Sequence, residues 1–499
     1  MAEQREPLLE SSDVLEDDNQ QSPAHPATTL ASMLDLRITL PLVFMLSIWL
    51  VPVLGARGVP EPVESDHIFA TPWLESFCRA PHVTPSTYPP VKARTAALEH
   101  VLIFQRHHRR TPDNLLPREA TFNETWSCED IATTYAAAVA GYDGPRVHTH
   151  IATPARHPFK NSILPGTCDQ GQLTAAGLRD AVQHGRDVRA TYAHLFPGRI
   201  TPDDLHIRTS PAIRTFEVSA GFLAGLEPSS IDKTWPVYVQ PVAIDNIVPS
   251  YACPAADTQR QRIEAEQAWL DHLAANTALQ RRLDSVLGTS NRASWHNWYD
   301  HYFDALTSRQ CNSHFLPCHP VTGECVTQED ADKVYALGSY EYDYIWRASP
   351  LAQDYVDLTF GAMFEELADN LLAMNASGNV PKMLLYVGHD GSMIRLAAGL
   401  GFPAPLAWPA LGSQIVIEVW RASDGLQTRI LHNGQLVEKF SWQPLQQLVA
   451  ILQARPNCIL WGNVECIDFR IFYHDDTSKR TASDRSALGA STVEGFLFS

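Results

Sequence analysis

The stretch Arg106-His107-His108-Arg109-Arg110-Thr111-Pro112 packs three arginines and two histidines into five consecutive positions. Cations this close repel one another unless an anion or carboxylates neutralise them. Phosphate suits the task, because guanidinium forks give charge-assisted, paired hydrogen bonds to its oxygens and stay charged at any accessible pH. A neutral imidazole held against phosphorus can attack it and divide a hydrolysis into two easier steps. The alkoxide that departs then needs a proton, which a carboxylic acid on a second loop can deliver. Far along the chain, Gly388-His389-Asp390-Gly391-Ser392 offers such a carboxyl beside a further histidine. The residue types point to phosphoryl transfer through a histidine.

Both stretches follow short apolar runs. His100 to Gln105 reads as a buried strand that stops at Arg106, and Met383 to Val387 reads as a second strand ending at Gly388. Open α/β sheets place their ligands at such C-terminal strand ends. A helix from Ser392 to Leu400 would aim its positive end and backbone N–H groups at whatever His389 and Asp390 contact, and an anion fits there. Between the two loops, Thr174 caps a predicted helix carrying Leu178, Val182, Val188, Tyr192 and Leu195, and another runs from about Arg214 with Phe216, Leu223 and Leu226 inward. Residues 258–288 suggest one or two more helices, whereas 290–345 show many aromatics and no clear period. Tyr355 to Met374 marks a further helix. Strands are expected at Gln414 to Trp420 and Arg429 to Glu438, the latter containing the turn pair Asn433-Gly434.

The first string resembles the RHGxRxP signature of histidine acid phosphatases, the branch of the phosphoglycerate-mutase-like superfamily that includes phytases and prostatic-type acid phosphatases. Gly388-His389-Asp390 resembles their distal HD motif, and Arg208-Thr-Ser-Pro-Ala-Ile-Arg214-Thr215 their third arginine-bearing segment, with Arg214 the better match. Cys168-Asp-Gln-Gly-Gln-Leu-Thr-Ala-Ala-Gly177, with Gln183-His184 after it, is similar to the acid-phosphatase-like group that includes 2-phosphoxylose phosphatase. The resemblance implies an α/β three-layer sandwich around a mainly parallel sheet, with a helical cap inserted within about residues 115–350 of a domain spanning 98–475. It implies His107 as nucleophile, Asp390 as proton donor, and Arg106, Arg110, Arg214 and His389 as holders of the phosphoryl oxygens. No metal or other cofactor is implied, since arginines neutralise the phosphate, and an acidic optimum follows if Asp390 must be protonated. One position departs: His108 stands where the family has glycine, and a side chain there would narrow or re-polarise the pocket. That residue opens an alternative, an inactive relative that binds phosphorylated or glycan ligands. A phosphomutase of the same superfamily is a third reading.

The remaining features concern placement. The formal net charge is −18, of which residues 1–37 contribute −6 from eight acidic residues against Arg5 and Arg37. No basic run exists, which argues against nucleic acid as a partner. Residues 38–56 carry no charge between Arg37 and Arg57, long enough to span a bilayer core of ~30 Å. We expect a signal anchor there, with 1–37 as an acidic cytosolic tail, 57–97 as an extended stem and 476–499 as a flexible tail. Cleavage after Ala56 would instead give a secreted protein. All nine cysteines lie beyond the apolar segment, as do the sequons at Asn123 and Asn375, the expected glycosylation sites. The catalytic domain is thus expected to face a lumen (Golgi or vacuole) or the cell exterior, acting on a phosphorylated small molecule or glycan. His148, His150 and His157 read as loop histidines, and Trp295, Trp298, Tyr299, Tyr302 and Phe303 as cap core.

Overall fold

The computed structural model describes residues 71–91, 95–122, 124–139, 142–230, 233–374 and 380–455. All of them belong to the second of the chain's two units, residues 57–499. The acidic tail, the apolar segment 38–56, both sequon asparagines, Cys458, Cys466 and the tail 476–499 lie outside the described residues. No helix among the described residues is long and apolar enough to cross a membrane.

The strands are β1 (Ala97–Arg106), β2 (Thr133–Val139), β3 (Tyr142–Thr149), β4 (Leu205–Thr209), β5 (Met383–Gly388), β6 (Gln414–Ala422), β7 (Gly425–His432), β8 (Gln435–Leu436) and β9 (Gln443–Pro444). The helices are α1 (Pro72–Cys78), α2 (Ala175–Thr191), α3 (Ile213–Leu226), α4 (Pro254–Glu264), α5 (Gln267–Ala275), α6 (Thr277–Leu287), α7 (Asp300–Cys311), α8 (Gln328–Asp343), α9 (Ala352–Ala373), α10 (Asp390–Leu400) and α11 (Leu445–Gln453). The main sheet runs β4-β5-β1-β6-β7-β8, with β9 also on β7. Its parallel part is β4-β5-β1, and β6 onward extends it antiparallel.

Alternation along β1 divides the core in two. Val101 and Ile103 pack with α2 and α3 on one face, while Leu102 and Phe104 pack with α9, α10 and α11 on the other, an α/β three-layer sandwich. Helices α2 and α3 approach closely because a β-carbon on Gly185 or Gly225 would strike the facing backbone. Helices α4 to α8 join the α9 side of the core.

Several elements escaped the sequence. Within the span expected to be an extended stem, α1 is a helix: Thr71 caps it by accepting from Leu74 N–H at 3.2 Å, Pro72 starts it, and Leu74, Phe77 and Cys78 are buried. Helices α7 and α8 occupy the aperiodic stretch, and α7 is buried nearly all round, which erases amphipathic period. The hairpin β2–β3 was not foreseen. The strand expected over Arg429 to Glu438 is split into β7 and β8 by Asn433 and Gly434, both at positive φ. Disulfides join Cys78–Cys311, Cys128–Cys168 and Cys318–Cys325, and Cys253 is also disulfide-bonded. None of the described cysteines is free, the pattern of an oxidising compartment.

Candidate active site

The register of β1 on β5 pairs Arg106 with Gly388. Consequently the two motif loops leave the sheet side by side, and His107 N–H donates to Gly388 C=O at 3.0 Å. Arg214 joins them from the first turn of α3, and Asp390 opens α10 with His389 as its N-cap. The structure thus brings Arg106, His107, Arg110, Arg214, His389 and Asp390 to one place.

His107 is buried, and its Nδ1 lies 2.8 Å from the carbonyl of His108. A carbonyl only accepts, so Nδ1 carries the proton and Nε2 keeps its lone pair. Burial, then the charges of Arg214, Arg106 and Arg110, hold the imidazole pKa well below its ordinary value, so the ring is neutral. His389 meets it edge-on, with ring centres 5.2 Å apart. Its Nδ1 accepts from Arg214 Nη2 at 3.3 Å, which leaves Nε2–H to donate to Ser210 Oγ at 2.8 Å. Burial and Arg214 lower the His389 pKa as well.

Every arginine of the site faces a carboxylate. Arg106 pairs through Nη2 with Asp390 Oδ2 at 2.7 Å, and its Nη1 donates to the carbonyl of Pro409. Arg110 pairs with Asp304 at 2.8 Å and Asp113 at 3.0 Å, and Arg214 reaches Asp113 at 3.2 Å. Asp304 also accepts the backbone N–H groups of Asp113 and Asn114, and so pins the loop after the first motif. Asp390 accepts from Trp408 Nε1 at 3.0 Å. Burial alone would raise its pKa, but the charge of Arg106, the Trp408 bond and the charge of Arg110 outweigh burial and hold the carboxyl well below the usual range. In the ligand-free protein Asp390 is therefore a carboxylate, and an entering phosphate must compete with it for Arg106.

His108 contradicts the expectation of a narrowed pocket. Its side chain turns away, packs on Gly412 and meets the His184 ring edge-on with centres 5.5 Å apart. It touches the site only through its carbonyl. Two cavities flank Asp390. One of about 180 Å³ is walled by Trp298, Phe303, Tyr342, Asp300 and Asp304, and one of about 490 Å³ by Arg214, His389, Ser250 and Arg395. Of the five aromatics expected in the cap core, Trp295, Tyr299, Tyr302 and Phe303 are buried, whereas Trp298 is half-buried and walls the smaller cavity. Arg208 is engaged by Asp245 and Asn246 away from the site. Among the described residues no group of His, Cys, Asp or Glu could hold a metal ion. Asp113, three residues after Arg110, could have been suspected from spacing; Asp304, Trp408 and Arg395 had no local signal.

The family model described as "Histidine phosphatase superfamily (branch 2)" matches residues 97–433, about two thirds of the chain. The chain belongs to this superfamily. Among this histidine phosphatase's relatives, counting factor 60 of Dictyostelium discoideum is 25% identical over 379 residues, covering 72% of this chain and 84% of that one. Testicular acid phosphatase of Homo sapiens is 27% identical over 247 residues, covering 46% of this chain and 55% of its own length. The solved structure of apo Hafnia alvei phytase matches at a TM-score of 0.50 and 13% identity, over 73% of this chain and 98% of that one, a likeness of fold.

Proposed function

We propose that this histidine phosphatase hydrolyses phosphate monoesters through a phosphohistidine on His107. The observation that carries the reading is the His107 ring, held neutral with its proton on Nδ1 and Nε2 left as the attacking atom. Arg106, Arg110 and Arg214 surround that atom with positive charge, and neutral His389 orients the phosphoryl group by turning its Nε2–H from Ser210 to a phosphoryl oxygen. Nε2 forms a bond to phosphorus as the ester P–O bond breaks, and Asp390 protonates the departing oxygen. Water then attacks the phosphohistidine and gives its proton to Asp390, which passes it to the departing phosphate as the carboxylate returns to Arg106. Because Arg106 keeps Asp390 ionised before substrate arrives, we assign the first proton to the substrate: a monoanionic ester displaces Asp390 from Arg106 and passes it the proton. Acidic pH favours the monoanion and hence the reaction.

Phosphorylated small molecules or glycans are the proposed substrates, without a metal or cofactor, since arginines neutralise the phosphate. The disulfide set supports a secreted or lumenal site of action, and we propose residues 38–56 as the anchor. The inactive-binder alternative rested on His108, whose side chain lies outside the pocket, so nothing now favours it. Hydrolysis of p-nitrophenyl phosphate across pH 3–8 with chelator present tests the proposal. Activity should peak in acid, survive chelation and disappear in His107→Ala; retained activity in that variant would overturn the mechanism.

A further inference from the structure

The cations around the site differ in one respect. Arg106, Arg110 and Arg214 each already face a carboxylate. Arg395, on α10 beyond Asp390, has no ion-pair partner among the described residues. Its Nε donates to Thr359 Oγ1 at 3.2 Å and its Nη1 to Gly391 C=O at 2.9 Å, while the guanidinium carbon lies 4.2 Å from the centre of the Trp346 ring. These contacts fix the fork's direction without cancelling its charge, and they leave Nη2 with no acceptor among the described residues. A β-carbon at position 391 would come within 2.7 Å of Nη1, so Gly391 makes the room in which the fork sits beside the proton donor.

Arg395 lines the 490 Å³ cavity together with Arg214, His389 and Asp390. The 180 Å³ cavity on the other side of Asp390 is lined by Arg106 and Arg110 together with Asp113, Asp300 and Asp304, and both arginines are already met by carboxylates. A further anionic group on the substrate meets only arginines already paired with carboxylates in the smaller cavity, and is drawn toward the unpaired charge of Arg395 in the larger one. We propose that Arg395 forms a second anion subsite, which selects phosphate monoesters whose leaving group carries a further carboxylate or phosphate. This rests on the reading of the His107 cluster as the phosphate site. Thr359 and Trp346 hold the guanidinium in place, and Ser210 and Ser250 give the cavity additional polar wall.

Binding, measured apart from turnover, tests the subsite. With His107→Ala in the full chain, dissociation constants at pH 5 are compared by calorimetry for two matched pairs of different length: sorbitol 6-phosphate with 6-phosphogluconate, and glycerol 3-phosphate with 3-phosphoglycerate. With Arg395 intact, the carboxylate-bearing member of at least one pair should bind about tenfold tighter or better, the effect of one charge-assisted hydrogen bond. Adding Arg395→Gln should bring that ratio to near one, and Arg395→Lys should keep part of it. Equal binding within both pairs while Arg395 is present overturns the subsite and needs no variant to read. A preference that survives Arg395→Gln overturns it too. Hydrolysis of p-nitrophenyl phosphate by the unaltered chain reports separately on the phosphatase reading, so the two can fail independently.

Discussion

Replacing His108 with asparagine tests how this fold carries a buried imidazole into acid. The ring is 4% exposed, and its Nε2 finds no hydrogen-bond partner among the described residues. Burial lowers its pKa to about 4; the attraction of Asp180 opposes this, and His82 and Arg109 reinforce it. In the unfolded chain the same imidazole titrates near 6.5. Between these values the unfolded chain binds a proton that the folded chain refuses. The folded state's advantage is therefore complete above about pH 6.5 and shrinks as pH falls toward the folded value. The cost is about 1.4 kcal/mol per pH unit in the middle of that window and about half as steep at its ends, so the fall from pH 6.5 to 4.5 costs about 2 kcal/mol. Asparagine cannot be charged, and the smaller side chain adds a cavity cost that does not depend on pH. Urea unfolding followed by tryptophan fluorescence at both pH values isolates the effect, because every other titrating group contributes to both proteins. Asparagine should destabilise at pH 6.5, and the difference should move by about 2 kcal/mol in its favour by pH 4.5. Parallel pH dependences in the two proteins would refute the reasoning.

Asp390→Asn should lower kcat on an alkyl phosphate by roughly 10²–10⁴-fold, and on p-nitrophenyl phosphate by much less, because that leaving group departs readily as its anion. Equal losses on both substrates would remove Asp390 from the role of proton donor. Asp113→Asn releases Arg110 and Arg214 from a shared carboxylate. Inhibition by inorganic phosphate should tighten by about 2–5-fold, in line with a part-exposed ion pair, and weaker inhibition would show that Asp113 helps to build the site instead. Paired replacement of Cys78 and Cys311 by serine opens a link across 233 residues of chain and should cost about 2–5 kcal/mol of stability, read as a lowered thermal midpoint.

The chemistry was legible because it is local. Arg106 to Arg110 and Gly388 to Asp390 each follow an apolar strand, and β1, β5, β6, α2 and α3 formed near their expected places because core-facing period and caps mark them. What stayed hidden is set by tertiary contact. Asp304 and Trp408 reach Arg110 and Asp390 from α7 and from the loop before β6, where nothing nearby in sequence marks them. Helix α7 hides its period because so many of its residues are buried. The direction of His108 depended on the space over Gly412, at φ +75, which no reading of the motif alone supplies. The parallel part of the sheet was foreseen, but not the antiparallel extension through β6 and β7.

The pairing of Arg106 with Gly388 across β1 and β5 also bears on how the enzyme comes into being. His107 and Asp390, the proposed nucleophile and proton donor, arrive from opposite ends of the domain, so no early fragment of the nascent chain holds both. Strand β5 must dock between β4 and β1 before His107 N–H finds the Gly388 carbonyl, and pairings this distant in sequence form slowly. Turnover thus reports on the whole domain having closed: a chain truncated before residue 383 can fold helices but cannot assemble the catalytic pair.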